Sequence, residues 1–274
     1  MNIFGAVRKE RFIKSKNKME IIKTVFTVER TIRYALLSKK EKDEIYSLER
    51  KREIFIRNLP DITISHKIYL DKKGQERYGR IYPDQKPQRI SQNTPLIKWV
   101  LRSSIPHSYG ILLYLLISRL NKVAILELGT GIGVSTLYLL EAMKRTGGNL
   151  DSIEIWDAIA KLHMSLFKGH SNKKYNFFHA RSQDVLSTLL QSKRSLDFVF
   201  HDGSHQYKDV LADMRIIMRL LKPAGIVVFD DINISTQMQA AWKEISLMQG
   251  VIYATTITAG DNKFPKMGLI VRGS

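Results

Sequence analysis

The chain has 274 residues, of which 44% are hydrophobic and 26% charged, enough to form one or two globular domains. It contains no cysteine, which excludes disulfide bonds and thiolate zinc sites. Its net charge of +18 is concentrated in residues 1–110, where 25 Lys and Arg face 12 Asp and Glu. Such an excess favours anionic partners, and it is equally typical of a solvated basic face.

The sequence shows no targeting or membrane-spanning segment. No apolar stretch of signal-peptide length precedes a small-residue cleavage site near the N-terminus, and the most apolar segment, 111–117, is too short to span a bilayer. We therefore expect a soluble, cytoplasmic protein.

Two amphipathic helices are predicted in the basic N-terminal part. Apolar residues recur every three or four positions in residues 19–37, and residues 40–57 place a few apolar side chains among many charges. We favour packing of these helices, as a hairpin or as the interface of a homodimer. Peripheral contact with an anionic membrane is the alternative, although their apolar positions contain few Trp and Phe residues.

A connecting region separates these helices from the rest of the chain. Residues 59–90 contain three prolines and two glycines around two strand-like segments, 62–70 and 77–82. Helical segments follow at 95–101 and 110–120. We therefore divide the chain into a basic, mainly helical N-terminal extension, residues 1–90, and a larger domain, residues 91–274.

Strand-like and helix-like segments alternate through the larger domain. The predicted strands are residues 123–128, 152–156, 175–179, 196–201, 226–229, 252–257 and 267–271. Helical segments separate the first six, whereas only a loop joins the last two. The expected fold is α/β, with a doubly wound, mostly parallel Rossmann-like sheet that ends in an antiparallel C-terminal hairpin.

Three alternate glycines mark the turn between the first of these strands and its helix. Gly129, Gly131 and Gly133 follow Glu127 in the run ILELGTGIGVST. Glycine accepts positive φ angles, and the free N–H groups of a helix start suit an anionic group, so the turn predicts a nucleotide-type cofactor loop. The G-x-G-x-x-G spacing of dinucleotide loops is absent, which makes NAD the weaker interpretation. A glycine turn without a ligand is the structural alternative.

Acidic residues stand at the ends of predicted strands, where open parallel sheets bind ligands. Glu154 lies 23 residues after Gly131, about the distance at which an acid reaches a cofactor ribose. Asp202, Asp230 and Asp231 end two other strands that we expect to be adjacent. Three carboxylates repel one another unless a cation neutralises them, and Mg²⁺ prefers oxygen ligands. The alternative is that Asp230 or Asp231 caps the next helix and pairs with a Lys or Arg.

The segment HDGSHQYKDVLADMRIIMRLLKPAGIVVFDD, residues 201–231, resembles a known family. It is similar to the DG-x-H-x-Y stretch, helix, L-x-P-G-G turn and acidic strand end of bacterial S-adenosylmethionine (SAM)-dependent O-methyltransferases of the macrocin and catechol types. The acid and the G-x-G-x-G turn resemble the first motif of class I SAM methyltransferases. The likeness covers residues 105–272.

This resemblance implies roles for the site residues. SAM would be bound at its methionine end by Glu127, Gly129, Gly131 and Ser135, at its ribose by Glu154, and near its adenine by Ser182. The metal ligands would be Asp202, Asp230 and Asp231.

Three positions depart from the family pattern. Ala180 and Arg181 replace a Gly-Asp pair before Ser182, and Ala224 replaces the first glycine of a Gly-Gly turn. Asp231 stands where catechol-type enzymes commonly have Asn. A third carboxylate at that place should strengthen the hold on a cation.

We expect the enzyme to transfer the SAM methyl group to a hydroxyl of a sugar, glycan or other polar small molecule. Mg²⁺ would lower the pKa of that hydroxyl, and His205, three residues after Asp202, is the expected base, with His201 as the second candidate. Helix capping or packing is the alternative role of either histidine.

Two competing functions remain at this point. An RNA methyltransferase could use the basic N-terminal part, but HDGSHQ is not the N/D-P-P-Y/F-type segment of base-methylating enzymes, so a nucleic-acid partner is disfavoured. A methyltransferase-like assembly module without catalysis is disfavoured because the glycine turn and all three aspartates are present.

Overall fold

The structure, a computed structural model, describes residues 4–5, 8–10, 17–34, 37–70, 88–170, 174–259 and 266–273. Its strands are β1 (Phe4–Gly5), β2 (Arg8–Glu10), β3 (Thr63–Leu70), β4 (Gln88–Pro95), β5 (Ala124–Leu128), β6 (Asn149–Glu154), β7 (Tyr175–His179), β8 (Leu196–His201), β9 (Leu221–Phe229), β10 (Val251–Ala259) and β11 (Met267–Arg272). Its α-helices are α1 (Lys18–Tyr34), α2 (Lys39–Arg57), α3 (Leu96–Ser103), α4 (His107–Arg119), α5 (Val134–Thr146), α6 (Asp157–Leu166), α7 (Ser182–Gln191), α8 (Tyr207–Leu220) and α9 (Thr236–Ile245).

The central sheet is mostly parallel, as the alternation of segments predicts. Strands β7, β6, β5, β8 and β9 lie side by side in that order and run parallel. Strands β11 and β10 continue the sheet as an antiparallel hairpin. The strand order reverses between β5 and β8, and open α/β sheets leave a crevice for ligands at such a point. The predicted fold class is confirmed.

Helices cover both faces of this sheet. Phe198 and Phe200 of β8 are buried in the core that contains α4 and α5, whereas Val199 is buried in the core formed with α7, α8 and α9. Because both faces are covered, β8 and β9 are largely apolar. Strands β5 and β6 also bury the polar side chains of Glu127, Asp151 and Ser152.

The two N-terminal helices pack on the domain that follows. Helix α1 contacts α4, and α2 contacts α5 and α3. Their buried side chains, among them Val28, Ile32, Ile45 and Leu48, belong to the same core as α4, α5 and one face of the sheet. The division of the chain at residue 90 stays a prediction, because both parts contribute to one core.

The N-terminal part also contains strands that the sequence analysis does not predict. Strands β1 and β2 pair with the edge strand β10, and β4 pairs with the predicted β3 in a separate antiparallel ribbon. Strands of two or three residues are too short to show a periodicity, and here the free edge of β10 determines them. The second strand-like segment, 77–82, lies outside the described residues.

Helices α3 and α4 form a bent pair ahead of the first parallel strand. Within the described ranges no single helix is long and apolar enough to cross a membrane, and these two pass that test only together, with a 60° bend between them. Most of α4 is buried inside the protein, including every residue of 112–117.

Candidate active site

A cleft of about 1390 Å³ lies at the carboxyl ends of the parallel strands. The glycine turn and the residues after β6 line one part of it, and the residues after β8 and β9 line another. The end of α3 and the segment up to Ile105 also contribute to its wall. The cleft therefore lies where the strand order reverses.

The three glycines adopt the left-handed backbone that the sequence predicts. Their φ angles are 82° at Gly129, 55° at Gly131 and 103° at Gly133. A Cβ atom on Gly129 would lie 2.0 Å from the carbonyl oxygen of Asp202, whereas one on Gly131 would meet nothing within 4 Å. Gly129 thus allows close contact between two strand ends, and Gly131 leaves space in the cleft.

Glu154 holds the glycine turn from the end of β6. One carboxylate oxygen accepts a hydrogen bond from the Gly131 N–H at 2.8 Å, and the other accepts from the N–H groups of Ile155 and Trp156, both at 2.8 Å. A carboxylate has about four acceptor positions, so one remains for a ligand hydroxyl. Glu154 lines the cleft, and its ribose-binding role stays a prediction.

Glu127 lies beneath the cleft and does not line it. Its side chain is fully buried in β5 and accepts hydrogen bonds from Ser135 at 2.6 Å, Thr136 at 2.8 Å and Ser152 at 2.7 Å. Burial raises the pKa of Glu127 to about 7, although the three hydroxyl donors oppose this rise. Glu127 therefore joins β5, β6 and α5 below the turn, whereas Ser135 also reaches the cleft wall.

Ser182 begins α7 at the cleft wall and is bound to a buried acid. Its hydroxyl donates to both oxygens of Asp213, at 3.1 and 3.0 Å. Asp213 also lies 3.4 Å from Nε2 of His201, and Asp213 and His201 are both about 1% exposed. Sequence reasoning missed Asp213, because an acid within an amphipathic helix normally faces solvent. His201 points to this acid from the end of β8.

His163 packs against the glycine turn. Sequence reasoning did not identify it as part of the site. Its ring stacks between Phe167 and Phe177, with 4.4 Å between centroids on each side, and its Nε2 is 2.5 Å from the Tyr175 hydroxyl. A Cβ atom on Gly133 would lie 3.0 Å from this imidazole. Burial lowers the pKa of His163 to about 4, so the ring is neutral at pH 7. No local sequence pattern indicates this packing role.

The second part of the cleft contains three acids and a histidine. Asp202, His205 and Asp231 each offer one ligand atom within 4.8 Å of the others. Asp230 is buried beside them and accepts a hydrogen bond from Nζ of Lys266 at 2.8 Å. The same ammonium lies 2.9 Å from Asp231. The structure thus brings the three predicted acids together and adds Lys266, which sequence reasoning missed.

The electrostatics of this acid group follow from burial and mutual repulsion. Burial, together with the charges of Asp230 and Asp231, raises the pKa of Asp202 well above its usual range. Burial and the Asp231 charge raise the pKa of Asp230 to about 6, against the opposing effect of Lys266. Burial lowers the pKa of His205, which favours its neutral imidazole. Lys266 therefore offsets only part of the repulsion among the three carboxylates.

Asp231 has a left-handed backbone with φ of 53°. Among residues other than glycine, Asp and Asn are the ones that enter this region most readily. Asp can therefore occupy this position in place of the Asn that the resembling enzymes commonly have. Strain of this kind is concentrated at functional sites.

Comparisons with known proteins find similar sequences and similar structures. Residues 126–232 match the sequence model of a methyltransferase domain family. A putative O-methyltransferase of Mycobacterium sp. (strain JLS) is 30% identical over 127 residues, which are 46% of this chain and 56% of that protein. One of Mycobacterium avium (strain 104) is 32% identical over 127 residues, 46% of this chain and 55% of that protein. The chain thus spans about half the length of these curated relatives.

Solved structures share the fold. The O-methyltransferase TomG of Streptomyces achromogenes, solved with SAM, has a TM-score of 0.55 at 22% identity, over 63% of this chain and 82% of TomG. The O-methyltransferase of Bacillus cereus, solved with S-adenosylhomocysteine (SAH), has a TM-score of 0.54 at 14% identity, over 93% of this chain and all of that one. Together with the sequence matches, these structures confirm the resemblance drawn from the sequence.

Proposed function

We propose that this chain, which carries a class I SAM-dependent methyltransferase domain of the O-methyltransferase type, methylates a hydroxyl group with the assistance of a divalent cation. The observation that carries the proposal is the shared cleft. The glycine turn and Glu154 line one part of it, and Asp202, His205 and Asp231 form another. A methyl donor and an activated hydroxyl could therefore meet there.

The donor would occupy the part of the cleft beside the glycine turn. Gly131 leaves space for the methionine end of SAM, and Glu154 keeps one acceptor position for a ribose hydroxyl. Ser182 and its neighbours line the adjoining wall, which supports the predicted adenine position. These contacts would orient the donor.

The residues of the acid group fit a divalent cation. The carboxylates of Asp202 and Asp231 converge within 4.8 Å. His205 lies beside them, and its Nε2 makes no hydrogen bond to any other described residue, so it can take up a proton. When all three carboxylates are ionised, the charges of Asp202, Asp230, Asp231 and Lys266 add to −2, which one divalent cation would neutralise. Asp202 and Asp231 would hold the ion; Asp230 as a third ligand stays a prediction. Bound there, Mg²⁺ would supply the positive charge that lowers the pKa of an acceptor hydroxyl.

The chain's own residues would orient the reactants and take up the proton. In the transfer, the acceptor oxygen forms a bond to the methyl carbon while the bond from carbon to sulfur breaks, which leaves SAH. Holding these three atoms in line supplies much of the rate. His205 would accept the hydroxyl proton, since its lowered pKa keeps it neutral.

The acceptor would be a sugar, a glycan or another polar small molecule. The wall that α3 contributes is polar at its end, with Arg102, Ser103 and Ser104, and Ser65 of β3 joins it. Hydrogen-bonding groups of this kind suit a hydroxyl-rich acceptor more than a flat hydrocarbon.

Reciprocal variants test the two halves of the site. Asp202→Ala and Asp231→Ala should abolish SAH formation on a panel of sugars and catechols, while the SAM dissociation constant changes less than about threefold. Gly131→Ala should weaken SAM binding at least about tenfold, because its methyl group would project into the cleft. Calorimetry measures binding, and chromatography measures SAH.

The exposed acid Asp184 on α7 provides the matched control, and Asp184→Ala should behave as wild type. EDTA should stop transfer without displacing SAM. Unchanged turnover after chelation would exclude the metal, and a protein that binds no SAM would exclude the enzyme.

A further inference from the structure

Lys266 immediately precedes β11, and its side chain reaches the acid group. Its backbone is fixed on both sides, because its N–H donates to the Ile257 carbonyl at 3.1 Å and its carbonyl accepts from the Ile232 N–H at 2.9 Å. The side chain lines the cleft. The ammonium is therefore anchored by the hairpin and by the segment just after Asp231.

This ammonium contacts two of the three acids. Its Nζ lies 2.8 Å from Asp230 and 2.9 Å from Asp231. Asp230 is 2% exposed, and its other oxygen accepts from the Asp231 N–H at 2.9 Å. Both oxygens of Asp230 are thus engaged, and one oxygen of Asp231 is shared with Lys266. A cation that enters this group has to compete with a positive charge already in contact with it.

We propose that Lys266 is a built-in counter-ion that competes with the divalent cation for Asp230 and Asp231, and so sets the affinity of the site for metal. The inference rests on the proposed function, since it concerns the same metal site. Without the ion, Lys266 stabilises carboxylates that would otherwise repel one another. With the ion, it lowers the affinity by repulsion across a few ångströms.

The experiment measures Mn²⁺ binding to the full chain by calorimetry, in the absence of SAM. Lys266→Met should lower the dissociation constant for Mn²⁺ at least about tenfold, because it removes a positive charge beside the site. Lys266→Arg keeps the charge and should remain within about threefold of wild type. Lys222→Met is the matched control: Lys222 also pairs with an acid, Asp197 at 3.0 Å, but it does not line the cleft.

A crystal structure of the wild-type chain with Mn²⁺ gives a test that does not depend on a variant folding. The ion should lie at Asp202 and Asp231, and Nζ of Lys266 should have left hydrogen-bonding distance of Asp230, Asp231 or both. An ion bound with both lysine contacts intact would overturn the inference.

The two proposals fail in different ways. If wild type and Lys266→Met bind Mn²⁺ equally well, or the variant binds it more weakly, only the role of Lys266 is wrong. If neither binds Mn²⁺ while both bind SAM, the metal part of the proposed function is wrong as well.

Discussion

Glu127 is a fully buried carboxyl group whose hydrogen-bond partners are all neutral hydroxyls. A buried acid without a cationic partner favours its protonated form, and burial raises the pKa of Glu127 to about 7. Its ordinary pKa is 4.5. The folded protein therefore binds this proton more tightly than the unfolded chain does between these two pH values.

We expect Glu127 to make stability pH-dependent in a defined direction. Because the folded pKa is the higher one, its contribution is fully present below about pH 4.5 and is lost as pH rises through about 7, at a cost of roughly 3 kcal/mol. Glu127→Gln should remove this loss of stability with rising pH, since an amide does not titrate. Urea unfolding of both proteins at pH 5 and pH 8 measures the difference, with Asp184→Asn as a surface control. If the free energy of unfolding changes equally with pH in wild type and Glu127→Gln, the raised pKa of Glu127 is wrong.

The site residues that sequence reasoning found are those whose role depends on their own strand. Glu154, Asp202 and Asp231 follow buried strands, so the edge on which they lie could be predicted before their contacts were known. Lys266 could not be found in this way. It lies 36 residues from Asp230 along the chain and reaches it only after the C-terminal hairpin folds back on β9.

At the scale of elements, the turn before the apolar part of β9 contains a strained residue. Ala224 has φ of 61°, a left-handed conformation that alanine adopts at a cost. Its carbonyl accepts a hydrogen bond from the buried Lys122 at 3.0 Å, which holds the turn in place. This is the position at which the resembling family has glycine. The departure seen in the sequence therefore has a conformational cost.

We expect Ala224→Gly to stabilise the protein. Glycine relieves the left-handed strain but adds freedom to the unfolded chain, so the net gain in the free energy of unfolding should be roughly 0.5 kcal/mol. Gly147, at the end of α5, has φ of 73° and open space around it. Gly147→Ala should therefore lower the free energy of unfolding. Urea unfolding measures the free energy of unfolding of both variants. A loss of stability in Ala224→Gly would show that the turn needs its alanine.

The parallel strands and their alternation with helices could be predicted from sequence because each strand-like run is followed by a helical segment. The edge strands β1 and β2 could not, because their partner β10 follows more than 240 residues later and determines where they pair. Strand β4 is largely polar, with the sequence QRISQNTP, and lacks the pattern of a buried strand. Prediction thus succeeded where burial determines an element and failed where pairing at an edge does.

At the scale of the whole molecule, polar contacts join the N-terminal helices to α4. Arg119 of α4 donates to Glu41 of α2 at 2.8 Å, and the Tyr114 hydroxyl donates to Glu44 at 2.7 Å. His107 contacts Glu49 at the start of α4. These contacts surround the apolar core that α1 and α2 share with α4 and α5. Helices α1 and α2 therefore share one core with α4 and α5, and the division of the chain at residue 90 stays a prediction.

We expect a fragment of residues 91–274 to fold poorly. Removing α1 and α2 exposes apolar residues of α4 and α5 and leaves Arg119 without its carboxylate. Circular dichroism and thermal unfolding of the fragment and the full chain measure the effect. A fragment that melts cooperatively at the temperature of the full chain would show that residues 91–274 form an independent domain.

The predicted homodimer and the alternative membrane contact both concern the outer face of α1. Met19, Ile22 and Phe26 are exposed there, at 78%, 44% and 64%, while the opposite face is buried. A surface of this kind suits a second apolar surface. We keep the homodimer as the prediction over the membrane contact, because the exposed apolar stripe contains only these three side chains among the described residues of α1.

The contact between Gly129 and Asp202 fixes the distance between the two parts of the cleft. The Asp202 N–H donates to the Leu128 carbonyl at 2.8 Å, and no side chain fits between the two strand ends. The glycine turn and the acid group are therefore held at the spacing of neighbouring strands, about 4.8 Å. Under the proposed function, acceptors of different size would be accommodated at the wall that α3 contributes. Efforts to redirect the enzyme should vary that helix and leave the strand ends unchanged.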